Sequence, residues 1–294
     1  MDTTKNTFLS WMKAVGFGLL FILIFNLIQM VVSVPVSIGY AVTHVELFQN
    51  VDLSNIQEFM MSKEVAEMFS YITTVGTIST GIVFPLWYFL RYGRKNKKTA
   101  GELIHHTFDA KKTSLYIIFA LFCYSFSIIL MELEVVLFPK SAEFINTTIG
   151  NMFGANQLLM AFTTILFAPL GEECLFRGIF FKKAGNYLTP LFVVIISSIM
   201  FGVFHMNIIQ GLYVQAFALL CGYVTYKTDS VLPAIFIHAI YNGTNFIKLL
   251  IPEVLSNSIL FWIAFAVILL AVGIVLFRRF GYRVQFHEKE EGLE

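Results

Sequence analysis

One apolar segment of the chain reads QLLMAFTTILFAPLGEECLFRGIFF, from Gln157 to Phe181. It is longer than the roughly 20 residues that a helix needs to cross a bilayer, yet it contains Glu172, Glu173 and Arg177. A charge near the bilayer centre costs at least about 2.5–3.5 kcal/mol on insertion scales, so charged residues inside a span indicate function by default. The segment therefore predicts a membrane-spanning helix that carries a functional polar cluster. Pro169, just before the charged residues, predicts a break or kink in this helix.

Seven other segments are also apolar and long enough to be read as spans. In the chain as a whole, 57% of the 294 residues are hydrophobic and 13% are charged, about half the charged share of a soluble domain. We therefore expect an all-α fold, a polytopic membrane helical bundle with about eight transmembrane helices. The net charge of +1 argues against a nucleic-acid partner. The seven further spans are Val15–Val42, Met68–Leu90, Thr113–Phe138, Thr189–Met206, Gln210–Tyr226, Val231–Ile251 and Ile259–Phe277.

The distribution of Lys and Arg predicts the orientation. If the N-terminus is cytoplasmic, 16 of these residues fall on the cytoplasmic side and three, Lys63, Lys140 and Lys248, fall outside. Cytoplasmic loops carry the excess of positive charge, so both termini are expected in the cytoplasm. The composition, rich in Phe, Ile, Lys and Asn, favours a bacterial cell membrane.

The spans suggest three regions along the chain. Residues 1–155 form a three-helix membrane region with an outward loop at 43–67, in which residues 56–68 are expected to form a short amphipathic helix. Residues 156–251 form the core that carries the polar groups, and residues 252–294 form the last span and a charged cytoplasmic tail, which we expect to be disordered.

The polar groups inside the core spans fall into three clusters. Glu173 and Arg177 are four apart on one helical face, which predicts an ion pair, whereas Glu172 is turned about 100° away and has no local partner. The next span contains Phe201-Gly202-Val203-Phe204-His205, and a later one contains His238-Ala239-Ile240-Tyr241-Asn242. Carboxylates, imidazoles and a carboxamide together suit activation of water and stabilisation of an oxyanion.

Other polar residues in the spans receive a structural interpretation. Glu132 and Glu134 lie near the outer end of the third span, where we expect them to reach water. The three cysteines, Cys123, Cys174 and Cys221, are expected to be buried as small apolar residues.

The three clusters, Glu172-Glu173-x-x-x-Arg177, Phe201-x-x-x-His205 and His238-x-x-x-Asn242, together resemble the signature of the CPBP (Abi) family. This family comprises CAAX proteases and bacteriocin-processing enzymes. The resemblance covers about a third of the chain, roughly residues 157–251, and implies an intramembrane endopeptidase. Its substrate would be a membrane-embedded or lipidated peptide or protein.

The resemblance also implies roles for the individual residues. Glu172 would be the general base, and His205 would help to hold the attacking water. His238 and Asn242 would donate hydrogen bonds to the oxyanion. Three other residues, Glu173, Arg177 and Phe201, would pack against these groups and fix their geometry.

The participation of a metal is open at the level of sequence. Glu172, His205 and His238 could supply the two histidines and one carboxylate of a zinc site. We favour a reaction without a cofactor, because a zinc site would leave Asn242 without a clear role.

Other functions are also considered. The chain has no His-Glu-x-x-His motif and no aspartate inside a span, which argues against a zincin and an aspartyl intramembrane protease. A non-catalytic binding, immunity or regulatory protein could use the same polar cluster as a peptide pocket. A transporter would be expected to show an inverted repeat, which the sequence lacks.

Overall fold

A computed structural model describes residues 5–49, 62–93, 107–139 and 156–279, together with positions 54, 56, 59, 104 and 150. The described residues are helical, with no strand among them. The helices are α1 Phe8–Thr43, α2 Val45–Gln49, α3 Lys63–Arg91, α4 Ala110–Leu137, α5 Gln157–Ala184, α6 Pro190–Phe204, α7 Ile208–Tyr213, α8 Gln215–Thr228, α9 Leu232–Ile247, α10 Glu253–Ser256 and α11 Ile259–Arg279; Lys248–Leu250 is a 3-10 turn. The all-α prediction is confirmed.

Local sequence determines where the long helices begin. Thr7, Ser62 and Asp109 are the N-caps of α1, α3 and α4, and the side chain of each accepts a hydrogen bond from a backbone N–H in the first turn. Such a cap satisfies a donor that would otherwise have no intrahelical partner. Pro190 and Pro233 occupy the first turns of α6 and α9, where a missing N–H costs nothing.

Among the described residues, five helices are long and apolar enough to cross a membrane: α1, α3, α4, α5 and α11. The other three predicted spans coincide with the shorter helices α6, α8 and α9, which have 15, 14 and 16 residues. At 1.5 Å per residue these reach about 21–24 Å, less than the hydrocarbon thickness of about 30 Å. The chain is an integral membrane protein. Length and composition identify five crossing helices in the part of the chain that the structure describes, and the expected number of eight is not confirmed.

The sixth predicted span was wrong in its continuity. Gln210–Tyr226 is divided between α7 and α8, which meet at Val214. Gly211 of α7 lies so close to α6 that a Cβ atom there would be 3.0 Å from the carbonyl oxygen of Gly202. Hydropathy could not detect this contact, since the residues on both sides are apolar.

Helix α5 lies among α3, α6, α8 and α9, so its charged residues are enclosed by other helices. It crosses α3 at two glycines. A Cβ atom on Gly81 would lie 2.6 Å from the Phe167 carbonyl oxygen, and one on Gly171 would lie 3.0 Å from the backbone of Thr80. Small residues allow this close packing of membrane helices, and the contact fixes α5 immediately before Glu172.

The irregularity expected at Pro169 is present, but α5 is not broken. The α-helical turn Ala168–Glu173 lies between two π-helical segments, Thr163–Phe167 and Cys174–Phe180. Such segments occur frequently at functional sites.

Burial corrects one sequence expectation and confirms another. Glu132 is exposed, but Glu134 is 5% exposed and its Oε2 atom has no hydrogen-bond partner among the described residues. Glu134 faces into the bundle because it is two residues, or about 200°, from Glu132. All three cysteines are buried and free. Within the proposed amphipathic helix at 56–68, positions 57, 58, 60 and 61 lie outside the described residues, and residues 63–68 form the beginning of α3. The tail after Phe280 lies entirely outside the described residues.

Candidate active site

The three polar clusters come from α5, from the end of α6 and from α9. Glu172 and Glu173 lie on the α-helical turn between the two π segments, and Arg177 lies in the second segment. His205 is the residue that ends α6. His238 and Asn242 lie one turn apart in α9.

Glu173 and Arg177 form the expected ion pair. Both side chains are fully buried, and Nη1 of Arg177 lies 3.2 Å from Oε2 and 3.3 Å from Oε1 of Glu173. Nη2 of Arg177 donates to the carbonyl oxygen of Ala218 in α8 at 2.9 Å. The pair therefore ties α5 to α8, and each charge is compensated in an apolar setting.

His238 lies between the two adjacent glutamates. Its Nδ1 atom is 2.8 Å from Oε1 of Glu173, and its Nε2 atom is 4.0 Å from Oε2 of Glu172. Because a carboxylate only accepts hydrogen bonds, Nδ1 of His238 is the donor to Glu173. This bond fixes the ring so that Nε2 is directed towards Glu172.

The Phe201 ring connects the charged pair to both imidazoles. Arg177 Cζ lies 4.5 Å from the ring centroid, in the range of a cation–π contact. The rings of His205 and His238 pack edge-on against it, with centroids at 4.9 and 6.0 Å. The ring of Phe217 in α8 also contacts His238, with centroids 4.8 Å apart, so aromatic rings pack around the two imidazoles.

A tight turn holds His205 at the end of α6. Its Nδ1 atom lies 2.8 Å from the Phe201 carbonyl oxygen; since a carbonyl accepts, Nδ1 donates and Nε2 is left for another partner. The next residue, Met206, has φ of 50°, an uncommon conformation for a residue with a side chain. Asn207 then caps α7 by accepting from the backbone N–H groups of Ile209 and Gln210.

Asn242 contacts a different part of α5. Its Nδ2 atom donates to the carbonyl oxygen of Thr164 at 2.9 Å, in the first π segment. The structure thus joins Glu172, Glu173, Arg177 and His238 directly. Phe201 links His205 to this group, whereas Asn242 is held against the neighbouring turn of α5.

Comparison with protein families identifies part of the chain. Residues 154–244 match the family model of the type II CAAX prenyl endopeptidase Rce1-like. The resemblance inferred from the three motifs is confirmed. All seven residues singled out above lie within this Rce1-like segment, which is thus similar to a family of CAAX endopeptidases. Comparisons with curated proteins and with solved structures find no match to the chain.

Three features of the Rce1-like segment were missed by the sequence reasoning. They are the Ala218 carbonyl, which accepts from Arg177, the Thr164 carbonyl, which accepts from Asn242, and the Phe217 ring, which packs on His238. Two of these are backbone carbonyls, which every residue has, so the residue type does not indicate their role. Phe217 is one of 32 phenylalanines, and its role depends on its position alone.

Among the described residues, no group of three or more His, Cys, Asp or Glu side chains is placed to hold a metal ion. Glu172, His205 and His238, the zinc set considered above, do not make up such a group. His238 and His205 each use Nδ1 within the protein, which leaves Nε2 of both rings available.

Proposed function

We propose that the protein is an intramembrane endopeptidase that hydrolyses a peptide bond in a membrane-associated or lipidated substrate, with Glu172 activating the water. The observation that supports this most strongly is the difference between two neighbouring glutamates. Glu173 accepts from Arg177 and His238 and is fully buried. Glu172 receives no hydrogen bond from the described residues, and 14% of its side chain is exposed. Oε2 of Glu173 also accepts no hydrogen bond, but it is ion-paired with Arg177 and fully buried. Of the two carboxylates, Glu172 is therefore the one that water can reach.

The proposed reaction uses the chain's own side chains. Glu172 accepts a proton from water. Nε2 of His205 accepts a hydrogen bond from the other O–H of this water and so orients the water molecule. The water oxygen attacks the scissile carbonyl carbon, and a tetrahedral oxyanion forms. The C–N bond then breaks, and the proton on Glu172 passes to the leaving nitrogen. General acid–base groups of this kind contribute about 10²–10⁴-fold to a rate.

Two groups would stabilise the oxyanion in this scheme. His238 donates from Nε2 when it is protonated, and the Glu173 carboxylate on Nδ1 compensates the positive charge. Asn242 donates through the amide hydrogen that Thr164 does not use. The proposal requires no metal ion, because these donors supply the charge stabilisation that a Lewis acid would otherwise provide.

The test is cleavage of quenched fluorescent peptides by purified protein in liposomes. The panel contains peptides ending in a prenylated cysteine motif and apolar helical peptides without a lipid. Glu172→Gln should lose about 10²–10⁴-fold in kcat. The matched control is Glu132→Gln, which removes an exposed carboxylate from another long helix and should behave as wild type.

Each outcome has a definite meaning. Cleavage that is lost in Glu172→Gln and survives a chelator supports the glutamate mechanism, whereas cleavage that a chelator abolishes and added zinc restores overturns it. Full activity of Glu172→Gln also overturns it. If no peptide of either kind is cleaved but peptides bind, and binding is weakened by Glu172→Gln, the non-catalytic peptide-binding function replaces the proposal.

A further inference from the structure

The first π segment of α5 leaves one backbone carbonyl without a helical donor. Within this segment the N–H of Ala168 donates to the carbonyl of Thr163, five residues back. In the same register the next carbonyl, that of Thr164, would receive the N–H of residue 169. That residue is Pro169, which has no N–H. The end of the π segment therefore exposes an acceptor inside the bundle.

Asn242 supplies the missing donor. Its Nδ2 atom lies 2.9 Å from the Thr164 oxygen, the distance of a well-formed hydrogen bond. The contact is partly buried, and a carbonyl without a partner is costly at membrane depth, so the hydrogen bond satisfies a real requirement. It also uses one of the two amide hydrogens of Asn242 and fixes the plane of the carboxamide.

We propose that Pro169 and the Thr164 carbonyl are a positioning device that holds Asn242 in the orientation in which its second amide hydrogen stabilises the oxyanion. This proposal rests on the proposed function above. Pro169 touches no reacting atom in this scheme. Because Pro169 has no backbone N–H, the carbonyl of Thr164 remains available to Asn242.

The decisive variant is Pro169→Ala, which restores the N–H at position 169. If the π register is kept, this restored N–H donates to the Thr164 carbonyl, and if the helix returns to the α register, the N–H of Ala168 does so. In either case the carbonyl no longer needs Asn242, and the carboxamide is released. Removing an oxyanion donor costs about 10²–10³-fold in kcat. Pro169→Ala should therefore lower kcat by about tenfold or more, up to the loss caused by Asn242→Ala, with KM unchanged.

A double-variant cycle separates positioning from a general effect on the helix. In the Asn242→Ala background, Pro169→Ala should cause no further loss of kcat, because the group it positions is already absent. Two controls remove similar groups elsewhere. Pro85→Ala changes a proline inside α3, and the remote asparagine control is Asn26→Ala, which removes an amide that donates to the Ile22 carbonyl in α1. Pro85→Ala and Asn26→Ala should leave kcat near wild type.

Thermal stability gives a second readout that does not depend on catalysis. A thiol-reactive dye reports unfolding, since all three cysteines are buried in the folded protein. Asn242→Ala should lower Tm in the wild-type background, because Thr164 loses its only donor described here. It should lower Tm much less in Pro169→Ala, where a backbone N–H has replaced that donor.

The two readouts distinguish the possible failures. Equal Tm losses from Asn242→Ala in both backgrounds would overturn the device itself. If the Tm coupling is present but Asn242→Ala retains full kcat, the device is structural and the role of Asn242 in the proposed function fails instead. If Pro169→Ala lowers kcat equally with and without Asn242, the positioning role is overturned.

Discussion

Two helices of the bundle each carry a pair of glutamates, and the pairs have opposite surroundings. In α5, Glu173 is compensated by Arg177 and His238, and Glu172 faces His238 with part of its surface open. In α4, Glu132 is exposed, and buried Glu134 has an oxygen with no hydrogen-bond partner among the described residues. Burial of a carboxylate therefore does not identify the site. The site is identified by the partners of the carboxylate, such as His238 from another helix.

The largest loss of stability is expected when the Glu173 carboxylate, which compensates Arg177, is removed from α5. Glu173→Met leaves Arg177 buried without its carboxylate, and breaking a buried pair in this way costs about 3–5 kcal/mol in the free energy of unfolding. Thermal unfolding followed by thiol labelling measures the loss. The same variant removes the acceptor of His238, so cleavage should be lost as well.

A second variant separates stability from chemistry. In the double variant Glu173→Met with Arg177→Met, no charge is left unpaired, so Tm should recover to near wild type. Activity should remain low, because His238 still lacks its acceptor. Recovery of activity together with Tm would show that Glu173 serves only the ion pair, and the comparison between the two glutamate pairs would lose its functional meaning.

The α5 pair also shows how far sequence reasoning reaches. The Glu173–Arg177 pair follows from i,i+4 spacing, and the helical segments follow from apolar runs. The contact of His238 with Glu173 joins residues 65 positions apart and depends on the packing of α9 on α5. The motif resemblance placed these residues in one site, but it could not specify which nitrogen of His238 faces which glutamate.

Backbone groups and helix irregularities were harder to predict. Pro169 indicated an irregular helix, but the π register that exposes Thr164 arises from bonding within α5. The close contact between Gly202 and Gly211 depends on the packing of α7 on α6, which hydropathy does not reveal. Glu134 was misjudged because its distance from the helix end was considered, whereas its face determined its burial.

A smaller effect of opposite sign is expected in the α4 pair. Glu134→Met removes a buried oxygen that lacks a partner and keeps an apolar side chain of similar length. Leaving such a group unsatisfied costs about 1–3 kcal/mol, so the variant should raise Tm by a corresponding amount and leave cleavage unchanged. Glu132→Met, at the exposed position, serves as the control and should change Tm little. A Tm decrease in Glu134→Met would indicate that Glu134 has a stabilising partner and is not the contrast to Glu173 described above.

The smallest effect concerns a carboxylate at a helix end outside the apolar segment. Asp109 caps α4 by accepting from the Lys112 backbone N–H at 2.8 Å, and this hydrogen bond holds the pKa of Asp109 below its usual value of 3.8. Loss of such a cap costs about 0.5–2 kcal/mol. Because the pKa of Asp109 is lower in the folded state, its charge contributes fully to stability above the usual pKa. This contribution is lost as the pH falls through the pKa of the folded state. Asp109→Ala should therefore lower Tm at pH 7, and the difference from wild type should shrink as the pH is lowered below about 4.

Asp109→Asn, which can cap the helix without a charge, should keep most of the stability at both pH values. A Tm difference for Asp109→Ala that does not change with pH would show that the charge of Asp109 contributes nothing. The effect of a partly exposed carboxylate would then come from its hydrogen bond alone, whereas that of the buried Glu173 requires its charged partners.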